Sequence, residues 1–232
     1  MKIAVVTGAS SGIGKALAQR LLNENYKVYA LGRDFEASGL INNEGLIKYP
    51  INLENRDEIA AFCKKIAENR VDLLVNCAGV AYYGLFESER AEHISEMVNV
   101  NILAPMLLTN GLLDKIRRCE GTVVNISSVT GKQPSSTHAA VYGATKAALT
   151  NFGQTLFEEN RKHNLRVINI HPDLTNTRLY RNADFTATGE PDSSLEAEDV
   201  AGAVMFAVSE RNGLCVTDLT IRPQKNKIRK KS

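Results

Sequence analysis

Cysteine is scarce in this chain and poorly placed for chemistry. Cys63, Cys77, Cys119 and Cys215 are widely scattered, with no Cys-x-x-Cys pair and no histidine at ligand spacing. That arrangement supports neither a disulfide framework nor a zinc site, and it suits a reducing compartment. An excess of one charge is also missing, since 28 basic residues face 26 acidic ones for a net charge of +2. So balanced a chain gives no reason to expect nucleic acid or a membrane surface as partner. No apolar run approaches the ~20 residues that span a bilayer. The opening Met1-Lys-Ile-Ala-Val-Val-Thr-Gly8 is too short an apolar run for a signal peptide, so the protein is expected in the cytoplasm. Repeats, low-complexity linkers and breaks in composition are absent as well. One domain over residues 1–224 is expected, followed by a tail, residues 225–232, with five basic residues and no acidic one. Such a tail reads as a solvated, frayed end, the alternative being a weak contact with phosphates or a partner.

What is present is ordinary in amount and regular in order. Hydrophobic residues make up 44% of the 232, enough to bury a large core. Short β-branched runs at Ile3–Thr7, Lys27–Leu31, Leu46–Ile51, Asp72–Val75, Thr122–Ile126, Arg166–Ile170 and Val216–Ile221 predict seven strands. Between them, apolar residues at i, i+3 and i+4 predict helices over Ile13–Glu24, Arg56–Glu68, Glu92–Cys119, Val141–His163 and Glu196–Val208. Strands alternating with helices imply a parallel sheet, and almost wholly apolar strands imply that both of its faces are covered. The expected fold is therefore single-domain α/β: a doubly wound, seven-stranded Rossmann sheet with helices on both faces. One segment, Asp173–Leu195, is polar and turn-rich. It would lie past a strand's carboxyl end, where such sheets bind ligands, and it reads as the substrate loop.

The first strand runs into Thr7-Gly-Ala-Ser-Ser-Gly-Ile-Gly14 and then a helix. Gly8 permits a tight turn, Gly12 lets backbone approach a pyrophosphate, Gly14 allows close helix packing, and the helix amides face the phosphates. At the end of the second strand, Gly32 and Arg33 stand where an acid would bind a ribose 2′-hydroxyl. Arg33 offers donors suited to a 2′-phosphate and favours NADP(H); the alternative is that Arg33 is solvated and Asp34 takes the ribose. Asn76-Cys-Ala-Gly79, after the fourth strand, would let backbone pass near the adenosine side.

Ser128 followed by Tyr142-Gly-Ala-Thr-Lys146 is the decisive pattern. Tyr142 and Lys146 are four apart, so a helix presents both to one site. A free tyrosine titrates near ~10 and is a poor base at neutral pH. A lysine cation and an oxidised pyridinium nearby would favour its phenolate, making it a proton donor to a carbonyl or an acceptor from an alcohol. Ser128, just past a strand end, would hydrogen-bond the same oxygen.

These motifs, in this order and spacing, resemble the short-chain dehydrogenase/reductase family along nearly the whole chain. The matching residues are Thr7-Gly8-x-x-x-Gly12-x-Gly14, Asn76-Cys-Ala-Gly79, Asn101, Ser128 and Tyr142-x-x-x-Lys146. The resemblance implies that Tyr142 is the general acid/base, that Lys146 lowers its pKa and binds the nicotinamide ribose, that Ser128 orients the substrate oxygen, and that Asn101 anchors a proton-relay water. Asn99 is a rival for that last role, but the following Ile-Leu-Ala-Pro105 fits Asn101 better. For NADP(H) the resemblance implies Gly8, Ser10, Ser11, Gly12, Ile13, Gly14, Arg33, Asn52, Leu53, Asn76, Ala78, Gly79, Tyr142, Lys146, Pro172, Thr175 and Thr177, with Thr177 at the carboxamide. Two departures stand out. Pro172 is followed by Asp173 where the family has glycine, and Asn52 replaces a common aspartate at the adenine.

Substrate contacts are expected from Val80–Tyr83, Gln133–His138 and Leu179–Asn182, with Tyr82, Tyr83 and Leu179 forming a partly apolar pocket. His138 either touches a polar group or is an idle loop residue. No arginine cluster marks an acidic or acyl-carrier substrate, and the loop is short beside the family it resembles, so a small carbonyl compound or alcohol is expected. The resemblance also implies a homodimer or homotetramer through helices 92–119 and 141–163. Rival readings are a 3-oxoacyl-thioester reductase and, in a different class, a non-catalytic NADP(H)-binding sensor.

Overall fold

A computed structural model describes every residue except 41–42, 67, 134–137, 191, 226 and 232. Seven strands form one parallel sheet in the order β3-β2-β1-β4-β5-β6-β8: β1 Lys2–Thr7, β2 Tyr26–Gly32, β3 Leu46–Pro50, β4 Leu73–Asn76, β5 Thr122–Ile126, β6 Arg166–Pro172 and β8 Asp218–Ile221. The alternation of a strand's side chains explains the two-sided core. In β1, Ala4 and Val6 enter the layer beneath helices α1 (Gly12–Asn23) and α6 (Ala197–Val208), while Ile3 and Val5 enter the opposite one. That second layer is closed by α2 (Arg56–Lys65), α4 (Ala104–Arg117) and α5 (Ala140–Asn160). Helix ends follow local chemistry: Asn55 accepts from the Asp57 and Glu58 amides, and acids open α2 while Lys64 and Lys65 close it. The chain winds outward from β1 through β2 to β3, then returns to add β4 on β1's other edge. The carboxyl ends of β1 and β4 therefore flank a switch point, the place where doubly wound sheets bind ligands.

Three features differ from the sequence-based expectation. The predicted helix over Glu92–Cys119 is divided into α3 (Ala91–Val98), a π turn at Asn99–Leu103, and α4. Pro105 explains the interruption, because it has no N–H to give Asn101 and its ring crowds that carbonyl four residues back. The Asp173–Leu195 segment is more ordered than its composition suggests. It holds a 3₁₀ turn at Arg178–Asn182, a short strand β7 (Phe185–Ala187), and a bridge between Thr175 and Leu195. The described part of the basic tail is paired rather than frayed. Its β9 (Ile228–Lys230) pairs antiparallel with β7, Thr186 opposite Arg229. Among the described residues, no helix is long and apolar enough to cross a membrane.

Candidate active site

The floor of the site is the turn between β1 and α1. Gly8 has φ +67°, and a Cβ there would lie 2.9 Å from the Ala78 Cα; one on Gly14 would lie 2.4 Å from the Gly8 carbonyl oxygen. Only glycine fits either place, for its positive φ at Gly8 and its missing side chain at both. Thr7 ties this turn to β4, its Oγ1 accepting from the Cys77 and Ala78 amides at 2.9 Å each. Ser11, the residue before α1, makes no side-chain cap, so the first amides of that helix are left for another acceptor.

From this floor one cleft runs to the first turns of α5. Its walls include Gly8, Ser10, Ser11, Gly12, Ile13, Gly14, Arg33, Asn52, Leu53, Ala78, Gly79, Ser128, Tyr142, Lys146, Pro172, Thr175 and Thr177, so nearly all the residues singled out in the sequence meet there. Arg33 faces the cleft; Asp34 does not, its carboxylate instead accepting from the Glu36 amide at 2.8 Å. Two predicted residues lie elsewhere. Asn76 is buried in a row of amides that crosses three strands. Its Nδ2 donates to Asn125 Oδ1 at 2.9 Å, and Asn125 Nδ2 donates to Asn169 Oδ1 at 3.1 Å. Asn101 is fully buried, with Nδ2 donating to Val80 O and Thr145 Oγ1 and Oδ1 accepting from the Val80 amide. Its side chain thus fastens the loop after β4 to α5 rather than facing the cleft.

Tyr142, Ser128 and Lys146 stand together at the inner end, all buried. The Ser128 hydroxyl hydrogen-bonds Tyr142. Lys146 Nζ donates to Ile126 O at 2.8 Å and lies 5.7 Å from the Tyr142 ring centre. Burial raises Tyr142 well above the ordinary tyrosine value, nearby Tyr180 adds to the rise, and the Ser128 bond works against it. Burial also pushes Lys146 down to about 8. The expected lowering of Tyr142 by Lys146 is therefore not the dominant effect: both groups lose hydration, which shifts each toward its neutral form. Behind Ser128, His171 is fully buried, with one ring nitrogen 3.2 Å from the Ser128 carbonyl oxygen and the other 2.8 Å from Asp218. Asp218 also accepts from Lys132 at 2.5 Å, so the turn carrying Ser128 is held at both ends.

The outer wall corrects two expectations. Tyr82 and Tyr83 do not line the cleft, whereas Leu179, Tyr180 and Arg181 do. Tyr82 stacks on His93 at 3.7 Å and hydrogen-bonds Glu96 at 2.6 Å, and Glu96 lies 3.9 Å from Arg33. Tyr83 is packed behind the wall, between Tyr142, Tyr180 and Phe185. No arginine cluster is visible along the chain, yet Arg33, Arg178 and Arg181 converge on the cleft. Glu96 and Val100, which sequence reasoning missed, line it too; their only signal was i, i+4 spacing on a helix. Of the Gln133–His138 segment, residues 134–137 lie outside the described residues.

The chain belongs to the short chain dehydrogenase family, an oxidoreductase family, which it matches over residues 2–186. It is similar to an uncharacterized oxidoreductase of Staphylococcus epidermidis, 31% identical over 230 residues covering 96% of this chain and 97% of the relative. A second uncharacterized oxidoreductase, from Staphylococcus saprophyticus, is 30% identical over 232 residues, again with 96% and 97% covered. Among solved structures, a metagenomic short-chain oxidoreductase in complex with NADP matches with a TM-score of 0.78 and 28% identity, over 96% of this chain and 97% of that one. An alcohol dehydrogenase from the archaeon Thermococcus sibiricus, complexed with 5-hydroxy-NADP, shares the fold with a TM-score of 0.85, 23% identity and 98% of each chain covered.

Proposed function

We propose that the protein is an NADP(H)-dependent oxidoreductase that moves a hydride between the nicotinamide and a small carbonyl compound or alcohol. One observation carries this reading: a single cleft joins the glycine turn and its uncapped helix amides to Ser128, Tyr142 and Lys146. The residues fit a dinucleotide. Glycines at 8 and 14 leave room where a Cβ would strike backbone, and the helix start offers donors to a pyrophosphate. Arg33 lines the adenosine end and would meet a 2′-phosphate, and a 28%-identical relative was solved with NADP.

The bound nicotinamide would supply or accept the hydride at the substrate carbon. Ser128 then hydrogen-bonds the substrate oxygen and orients it toward Tyr142. Because burial keeps the Tyr142 phenol protonated at neutral pH, it is poised to donate its proton to that oxygen as a carbonyl is reduced. Lys146, when charged, stabilises the phenolate left behind.

The test follows NADPH absorbance against aldehydes, ketones, dicarbonyls and 3-oxoacyl thioesters, with Tyr142→Phe beside the wild type. Loss of a positioned general acid is expected to slow turnover by roughly 10²–10⁴. Equal rates would overturn the assignment of Tyr142. Tight NADPH binding with no turnover on the whole panel would favour a sensor. A 3-oxoacyl-thioester substrate is a second reading, favoured by Arg178 and Arg181 in the cleft wall, which suit an acidic carrier. We also propose a homo-oligomer through the 92–119 and 141–163 helices. The exposed Val98 and Met106 on that surface support it, and sedimentation equilibrium tests it.

A further inference from the structure

The segment that forms the outer wall of the substrate end is held from two sides. On the inside, Tyr180 and Phe185 pack on each other and on Tyr83, with ring centres 5.1–5.9 Å apart, and Tyr83 lies 6.0 Å from Tyr142. On the outside, the chain's last residues grip the same segment. β9 pairs with β7 through Phe185–Lys230, Thr186–Arg229 and Ala187–Ile228. The Lys231 amide donates to Asp184 O at 2.7 Å, and its Nζ donates to Tyr180 O at 2.6 Å and Arg181 O at 3.2 Å. Farther along, Lys225 pairs with Asp192 at 2.6 Å and Lys227 with Glu190 at 2.8 Å.

We propose that Lys225 and residues 227–231 are a positioning strap that sets substrate recognition by holding Leu179, Tyr180 and Arg181 in the wall of the cleft. This rests on the reading of Tyr142 as the centre of the substrate site. The physical case is one of marginal stability. A two-stranded ladder alone is barely stable in water, so β7 keeps its place only while both β9 and the aromatic packing support it. Among the described residues, no hydrogen bond or ion pair joins the strap to the glycine turn, so its effect is expected on the substrate and not on the dinucleotide. Three of its five basic residues have partners here: Lys231 on the Tyr180 and Arg181 carbonyls, Lys225 on Asp192 and Lys227 on Glu190. Both ion pairs are exposed and are weakened by salt.

The experiment compares the full chain with a variant ending at Gln224. It reads KM and kcat for the best substrate, NADPH affinity by fluorescence titration, and hydrogen exchange of residues 178–187. If the strap keeps the wall formed most of the time and its loss leaves it formed about one-tenth of the time, KM rises about tenfold. NADPH affinity is expected to stay within about twofold, and exchange in 178–187 to speed up while the seven-stranded sheet stays protected. An unchanged KM, or unchanged exchange in that segment, overturns the proposal. A full chain with no turnover refutes the reading of Tyr142 instead, and the exchange arm still decides whether the strap holds the wall.

Should the shortened chain fail to fold, the doubly substituted Thr186→Cys, Arg229→Cys protein takes its place, since these residues face each other across the ladder. Raising salt to about 0.5 M is expected to raise KM of the wild type and leave the oxidised, cross-linked protein unchanged. A cross-linked protein whose KM follows salt as the wild type's does also overturns the proposal.

Discussion

Lys146 is the place where the site's chemistry and the fold's stability oppose each other most directly. The residue is 3% exposed and its Nζ has the Ile126 carbonyl oxygen as an acceptor at 2.8 Å. Burial lowers its pKa from 10.5 to about 8, with Cys77 working the other way. That difference corresponds to about 3 kcal/mol against folding at neutral pH, where the lysine is charged in both states. Methionine matches the lysine stem in length and carries no charge. Lys146→Met removes the penalty and gives up one hydrogen bond worth about 1 kcal/mol. The net is about 2 kcal/mol more stability at pH 7, or a rise of roughly 4–8 °C in Tm for a chain of this size. The pH dependence has a definite sign. Between pH 8 and 10.5 the folded chain binds fewer protons than the unfolded one, so wild-type stability climbs with pH across that window. The variant lacks the climb, and its advantage therefore shrinks toward pH 10.5 while turnover is lost at every pH. Urea unfolding of both proteins at pH 7 and pH 10 checks this. A variant less stable than the wild type at pH 7, or an equal gap at both pH values, refutes the reasoning.

Three further outcomes follow from the geometry. Arg33→Ala is expected to raise KM for NADPH at least several-fold and leave KM for NADH unchanged; equal effects on both in steady-state assays would remove Arg33 from cofactor choice. In Gly153→Ala the new Cβ would lie 2.2 Å from Asn169 Oδ1 and 2.7 Å from Asn125 Nδ2, splitting the buried amide row. Overpacking plus an orphaned amide is expected to cost on the order of 3 kcal/mol, roughly 10 °C in Tm, and calorimetry showing no shift would contradict it. For Asp218, burial works to raise the carboxyl, but hydrogen bonds from Lys132 and His171 more than offset it and hold it below its ordinary 3.8. Its stabilising effect is therefore present at neutral pH and lost as pH falls through that lowered value. Asp218→Asn is expected to flatten acid unfolding below about pH 4 and, by loosening the Ser128 turn, to lower kcat more than NADPH affinity; acid unfolding identical to the wild type's would refute it.

Much of the fold was legible because its strands are apolar on both faces and its helices carry a clear period. The runs at 3–7 and 122–126 could hardly be anything else in a chain of alternating type. The cleft was legible to the extent that its chemistry is local: Gly8 to Gly14 form one turn, and Tyr142 and Lys146 share one helix face. What escaped was set by register and by distance along the chain. Asn76 sits beside Ala78 and Gly79 in sequence and reads as their companion, yet the amide row that claims it forms only when β4, β5 and β6 align Asn76, Asn125 and Asn169. Arg178 and Arg181 join Arg33 through the fold alone. The β7–β9 ladder was hidden because three-residue strands with polar neighbours leave no period to detect. Pro105 was visible throughout, and the steric demand it places on Asn101 was the missed clue to the π turn.

The order of strands also bears on how the chain is made. β1 is synthesised before both of its neighbours and stands inside the sheet between β2 and β4, but β4 begins 66 residues after β1 ends (Thr7 to Leu73). At ordinary rates of synthesis roughly 3–13 s pass before that second neighbour exists. During that interval β1, with Ile3, Val5 and Val6 along it, has one edge satisfied by β2 and the other open. An open apolar edge is a template for pairing with another chain. Ribosomes pausing between codons 32 and 73 would hold this half-sheet in its most aggregation-prone state, so the speed of translation across that stretch bears directly on yield.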